Sequence, residues 1–327
     1  MSYRRILITL SQVSLLSFGL AQVCGCASAL RQRQLALITP TATSELWKGM
    51  HAGAYRAAQQ HGVRLYWNGA TETGDVERQI QILEQKSAQH VLGIVLVPAH
   101  ASALISAVAQ AQRARVPVVL AETRLAASSG LNVAAVVNDE KATGELAAKL
   151  IAQQISSGDI AVVGVDASNS GNRDRVEAFE QAIARVPQLH IVEKFYTGQN
   201  AFTGPESDPA LLLTRHPGIR AIFAPSLEGT HIAYGLLHGR QGGERVRLVI
   251  CEQDADQFEP LRRGEIDAVI AINVFQIGYH AAQQLLAHAE DGAPLHDEVI
   301  QPILVTSSNV LDPAVQKLLR PYAGYDK

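Results

Sequence analysis

The residues best equipped for chemistry stand just beyond short apolar runs. Ser44 and Trp47 follow Leu35–Thr39, His100 follows Gly93–Val97, and Glu122 and Arg124 follow Val116–Ala121. Asp139 follows Ala134–Val137, Arg173 and Arg175 follow Ile160–Val163, and Ser226 follows Ala221–Phe223. Glu252 follows Leu248–Cys251, and Asn273 follows Ala268–Ala271. Carboxylates accept hydrogen bonds, a guanidinium donates five, and an indole offers a broad apolar face. Such a set recognises a polar small molecule; it does not by itself break bonds.

Signatures of catalysis are missing. The chain has no G-x-S-x-G elbow, no P-loop, no H-E-x-x-H helix and no G-x-G-x-x-G after its first apolar run. The eleven histidines are scattered, and neither His51 with His61 nor His280 with His288 has the spacing of metal ligands on a helix. Asp254 and Asp256 read as helix-start charges. Neither an enzymatic activity nor a metal or cofactor is expected.

The elements that must carry these residues alternate. Apolar runs at 35–39, 63–66, 93–97, 116–120, 134–137, 160–163, 221–223, 248–250 and 268–271 read as strands, several of them apolar on successive residues, as in sheets covered on both faces. Helical patterns lie between them: Val76, Ile80 and Leu83 share one face, as do Leu146, Leu150 and Ile151. Asp139 is a candidate N-cap for the second helix, and Thr73 or Asp75 for the first. Alternation of this kind predicts an α/β fold with parallel sheets, and about ten strands predict two doubly wound lobes. Ligands of such folds bind beyond the carboxyl ends of the strands, where the polar residues above stand.

Composition narrows the function. The 327 residues are 47% hydrophobic and 18% charged, which suits folded cores of two domains and not a disordered chain. Lys+Arg 28 against Asp+Glu 31 gives a net charge of −3, too little positive charge for a nucleic-acid partner. Residues 1–26 read as an export segment, with Arg4 and Arg5, an apolar run from Ile6 to Leu20, and small residues after it. Its removal takes away both arginines and moves the charge from −3 to −5. Three cysteines cannot build a disulfide framework. Cys251, inside an apolar run, reads as a buried strand residue.

Two resemblances follow. Val23-Cys24-Gly25-Cys26 resembles a bacterial lipoprotein signal, which implies lipidation of Cys26 as the mature N-terminus; an ordinary signal peptide or a short N-terminal anchor is the alternative. From about Leu35 to Val310 the chain resembles the periplasmic sugar-binding proteins of ABC transporters, in the ribose/galactose-binding branch, whose fold is shared by the ligand core of LacI-type repressors. The likeness rests on Thr39–Gly49, Gly93–Pro98, Val116–Glu122, Val137–Gly144, Asn172–Phe179, Leu248–Glu252 and Arg263–Ala268, taken in order. A repressor would need a basic DNA-binding segment where this chain has an export segment.

The resemblance implies two lobes joined by three crossings: 35–137 plus 273–301, and 138–272 plus 302–320. Ligand would sit between them. It also implies roles. Trp47 would stack on a sugar face, with packing inside its own helix turn as the alternative; Leu46 stands where a second aromatic is common. Glu122 and Glu252 match one sugar-binding acid per lobe, and Arg175 the gripping guanidinium, with Arg173 as the near alternative. Arg124 lies one residue past a usual arginine position, which Thr123 occupies. Ser44, His100, Asp139, Ser226 and Asn273 complete the set. His100 is expected more as a cap than a metal ligand, and Glu228 could replace Ser226. Val97 and Ile272 replace an asparagine and a glutamine of ribose binders, which argues against ribose itself. The expected function is a monomeric receptor that passes a sugar-like solute to an ABC permease, with a sensory receptor for a kinase or chemoreceptor as the alternative.

Overall fold

The computed structural model describes residues 33–72, 74–126, 130–167, 169–197, 208–238, 243–252, 254–313 and 315–316. The export segment with Cys26, and Thr73, lie outside them.

Two six-stranded sheets form. The first contains β1 (Gln34–Thr41), β2 (Arg64–Ala70), β3 (Gly93–Leu96), β4 (Val118–Glu122), β5 (Ala134–Asn138) and β11 (Glu298–Ile300), in the order β11-β5-β4-β3-β1-β2. The second contains β6 (Gly158–Val165), β7 (Leu189–Tyr196), β8 (Ile219–Ala224), β9 (Arg247–Cys251), β10 (Ala268–Ala271) and β12 (Ile303–Val305), in the order β12-β10-β9-β8-β6-β7. Every pairing is parallel except β12 on β10. This is the doubly wound α/β fold with two lobes that the resemblance implies.

Both faces of each sheet are buried, which explains the continuous apolar runs. Along β1, Leu35 and Leu37 enter one core while Ala36 and Ile38 enter the other. Along β6, Ala161 and Val163 alternate with Ile160 and Val162 in the same way. Each fully buried Leu, Ile or Val contributes about 1.5–3 kcal/mol. All nine runs read as strands from the sequence form them. Three further strands were not marked. β7 is a half-exposed edge strand broken by His190, Glu193 and Lys194, so no apolar run announces it. β11 and β12 are three residues each.

The helices exchange sheets. α4 (Glu140–Gln154) follows β5 of the first sheet yet packs against α5 (Ser170–Ile183), β9 and β10. α9 (Val274–Asp291) follows β10 of the second sheet yet packs against α1 (Glu45–Gln60), β3, β4 and β5. With the passage from β11 to β12, the chain crosses between the sheets three times. Two crossings are tied to each other: the Asp139 N–H donates to the Ile300 carbonyl at 2.8 Å, and Gln301 Nε2 donates to Asp139 Oδ2 at 2.8 Å.

α2 (Val76–Ala88) departs from the expected periodicity. Its buried stripe is Gln79, Ile82, Leu83, Lys86 and Ser87, with Val76 and Ile80 only half-buried. Gln79 is buried because its amide clasps the strand end that leads to His100. Its Nε2 donates to the Val97 carbonyl at 2.7 Å, and its Oε1 accepts from the Ala99 N–H at 2.9 Å.

Candidate functional site

The two sheets end in a matched pair of carboxylates. Glu122 closes β4 and Glu252 follows β9, and both take a left-handed backbone, with φ 65° and 63°. A side chain in this region costs about 1–3 kcal/mol, so the surrounding structure must hold it there. At Glu122 the chain turns at once: the Thr123 N–H donates to the Ala121 carbonyl at 2.7 Å. The turn swings the Glu122 carboxylate out of its strand line at the carboxyl end of the first sheet.

A buried arginine organises the second lobe. Arg175, on the second turn of α5, is 1% exposed. Its Nε and Nη2 meet Glu140 Oε2 and Oε1 at 2.7 and 3.1 Å, a two-pronged ion pair. Its Nη1 donates to the Pro225 carbonyl and to Glu252 Oε1, the latter at 3.3 Å. Glu252 Oε2 also accepts from the Leu227 N–H at 3.1 Å. Arg175 thus links Glu140 to Glu252 across the second lobe. The sequence assigned it to ligand; its described hydrogen bonds all go to Glu140, Pro225 and Glu252.

Glu140 was not anticipated. It sits at the first position of α4, where an acid reads as an ordinary helix-start charge. Its partner is 35 residues away, and no spacing rule connects them. The N-cap expected at Asp139 forms: its Oδ1 accepts from the Ala142 N–H at 2.8 Å at the start of α4.

Electrostatics separate the acids. Burial is the main force raising Glu122, reinforced by the charges of Glu140 and Glu252 and opposed by Arg175; its carboxyl is pushed up to about 8. Glu252 is also raised by burial, against the pull of Arg175 and the Leu227 N–H. Cys251, buried in β9, is pushed up to about 12, chiefly by burial, so it is no nucleophile at neutral pH.

Residues of both lobes line two cavities here. The larger, of about 590 Å³, is lined from one side by Glu122 to Ala126 and Val137 to Lys141, and from the other by Ser170, Gly171, Arg173 and Asp174 among others. The smaller, of about 80 Å³, is lined by Pro98 to Ala101, Thr123 and Arg124 on one side and Asp166, Asn169 and Ser170 on the other. Glu122, Arg124, Asp139 and His100 thus come to cavities shared by the lobes, with Arg173 facing them. His100 is engaged as a cap: its Nδ1 accepts from the Ser102 and Ala103 N–H groups at 3.2 and 3.3 Å. Arg124 pairs with Asp297 at 2.7 Å, both exposed.

The other assigned residues line neither cavity. Trp47 sits on the first turn of α1, half-buried against the core that α1 and α9 form on the first sheet. Ser44 is the N-cap of α1, without a side-chain capping bond. Asn273 caps α9, accepting from the Gln276 N–H at 3.3 Å. Ser226 Oγ donates to the Gly164 carbonyl at 2.9 Å and accepts from the Gly229 N–H at 3.1 Å. Gly164 is required there, since a Cβ would stand 2.5 Å from Ser226 Oγ and from Gly229 Cα. Val97 and Ile272, both 1% exposed, belong to the core of the first lobe.

Comparison with known proteins fits this geometry. A family model described as a periplasmic binding protein domain matches residues 35–293. No curated protein matches in sequence. Among solved structures, an ABC transporter solute-binding protein from Agrobacterium vitis, bound with alpha-D-tagatopyranose, superposes with TM-score 0.77 at 22% identity, over 87% of this chain and 98% of that one. A carbohydrate transporter solute-binding protein from Agrobacterium radiobacter, in complex with D-arabinose, gives TM-score 0.77 at 23% identity, over 89% and 99%. A periplasmic solute-binding protein from Actinobacillus succinogenes with bound D-allose gives 0.76 at 22%, over 85% and 98%. At these identities the structures speak for the fold. The family match, spanning most of the chain, makes this protein a member of the periplasmic binding protein domain family.

Proposed function

We propose that the protein captures a sugar or sugar-like solute between its lobes and delivers it to an ABC permease. One observation carries the reading: polar residues from the carboxyl ends of both sheets line shared cavities, headed by Glu122. Membership of a periplasmic family makes the chain an exported binding protein, not an enzyme. The solved relatives above hold sugars, which supports a carbohydrate ligand here.

Within this reading, Glu122 and Glu252 accept ligand hydroxyls, one from each lobe, and charge-assisted bonds of that kind are shorter and stronger than neutral ones. Arg173 donates from the opposite wall, and the uncovered part of the Trp47 indole packs on ligand C–H groups. The lobes, 35–137 with 273–301 and 138–272 with 302–320, close about the three crossings. Lipidation of Cys26 would tether a monomer at the membrane surface, and no helix of the described residues is long and apolar enough to cross a bilayer.

Thermal unfolding of the protein against a panel of aldoses, ketoses and polyols tests the function. A ligand at about a hundred times its Kd adds about 2.7 kcal/mol and raises Tm by several degrees. A panel that moves Tm nowhere contradicts a carbohydrate receptor.

A further inference from the structure

Two of the three strand-end and helix-start carboxyls bond one guanidinium, and the third does not. Glu140 takes two donors of Arg175, and Glu252 takes one more together with the Leu227 N–H. Glu122, 7% exposed, forms no ion pair among the described residues. Its negative neighbours therefore bond a cation directly and it does not. The remaining charges around the larger cavity do not supply one. Arg124 is committed to Asp297, Arg173 donates to the Ala167 carbonyl at 2.8 Å, and Lys141 points toward Glu145 at 4.0 Å. Asp139, Asp174 and Glu177 line the same rim and offset those three cations. The rim is balanced; the centre is acidic.

A second, independent feature lies in the same cavity. Asn138 lines the same cavity and is 3% exposed. Its Nδ2 donates to Thr143 Oγ1 at 3.0 Å, and that hydroxyl in turn donates to the Asp139 carbonyl at 2.8 Å. The hydroxyl proton is thus spent, so the Asn138 amide must place its NH₂ on Thr143. What remains is Oδ1, a buried acceptor with no partner among the described residues. An acceptor of this kind is rarely left unmatched in a native protein. Glu122 and Asn138 line one cavity, and a group that only donates suits both the Oδ1 acceptor and the carboxylate once it is ionised. An ammonium is such a group, with three N–H bonds.

Building on the receptor function proposed above, we infer that the cleft prefers a cationic sugar-like ligand, an amino sugar, whose ammonium lies between Glu122 and Asn138 Oδ1. The ligand supplies the positive charge that the first lobe lacks. Burial and like charges hold the Glu122 carboxyl up at about 8, so at neutral pH it carries a proton in the free protein. On binding, that proton leaves Glu122 for the buffer and the ammonium takes its place beside the carboxylate.

The test pairs each amine with its uncharged counterparts. Calorimetric titration at neutral pH would compare D-glucosamine with D-glucose and N-acetyl-D-glucosamine, and the galactose and mannose series likewise. In at least one series the amine should bind about tenfold or more tighter, roughly the gain of a charged over a neutral hydrogen bond. The heat should change between buffers of different protonation enthalpy, reporting the released proton. Glu122→Gln should bring the amine-to-hydroxyl ratio close to one, and Asn138→Asp, which adds a second carboxylate, should widen it severalfold. Neutral sugars binding as tightly as their amines would overturn the inference and leave the sugar receptor standing. An amine preference unchanged in both variants would overturn the placement at Glu122. No binding of any sugar, charged or neutral, would overturn the receptor reading itself.

Discussion

The two lobes are built on one plan and differ at its centre. β4 and β9 occupy the same place in their sheets, and each is followed through a left-handed glutamate. α9 lies on α1 in the first lobe as α4 lies on α5 in the second. In both pairs the fifth residue of the crossing helix is a glycine. A Cβ at Gly278 would stand 2.2 Å from the Met50 carbonyl, and one at Gly144 would stand 2.2 Å from the Arg175 carbonyl. Met50 and Arg175 are each the sixth residue of their helices, and Val274 and Glu140 are each the first of theirs. Where the first lobe seals the helix pair with Met50 and Val274, the second seals it with an ion pair. Glu252 inherits a cation from that exchange and Glu122 has none. A repeated scaffold thus yields two strand-end acids of unlike character.

The largest expected effect comes from making one lobe imitate the other by halves. Arg175→Met strands Glu140 and Glu252 without their cation and should cost about 3–5 kcal/mol in chemical denaturation. Adding Glu140→Val imports the Met50/Val274 pair of the first lobe and should restore most of that loss, because a buried ion pair can often be exchanged for apolar groups at little cost. If the double variant is as unstable as the single, the lobes are not equivalent in the way described. Next, Gly144→Ala and Gly278→Ala should each destabilise by about 1–3 kcal/mol, since backbone must move to admit the methyl group. A large cost in one lobe alone would break the symmetry.

The unpaired acid should appear in the pH dependence of stability. Glu122 titrates near its ordinary value of 4.5 when unfolded and at about 8 when folded. Between those values the folded state binds the extra proton, so its contribution is full below about 4.5 and is lost as pH rises toward 8. The fall can reach about 1.4 kcal/mol per pH unit. Glu122→Gln should flatten that part of the stability profile. Smaller effects mark the periphery. Gln79→Ala frees the Val97 carbonyl and the Ala99 N–H and should cost about 1–3 kcal/mol. Arg124→Ala breaks only an exposed pair and should cost under about 1 kcal/mol.

Much of this plan could be read from residues alone, for a physical reason. A strand buried on both faces must be apolar throughout, so β1, β3, β4 and β9 declare themselves, and the strand-end rule then points to Glu122 and Glu252. Edge strand β7, which alternates with charged residues, carries no such mark. Contacts between distant segments left no trace in spacing: nothing in the sequence joins Glu140 to Arg175, or explains why Gln79 turns inward while Ile80 does not. Trp47 carries both readings at once: its position beyond a strand suits a ligand, and part of it packs against the core.

The most direct measurement is thermal unfolding of the wild-type protein, Glu122→Gln and Glu252→Gln in parallel against neutral and amino sugars. The account expects at least one sugar to raise the wild-type Tm by several degrees and to raise that of either variant much less. A sugar shift that survives undiminished in both variants would contradict a ligand site between the two strand-end glutamates.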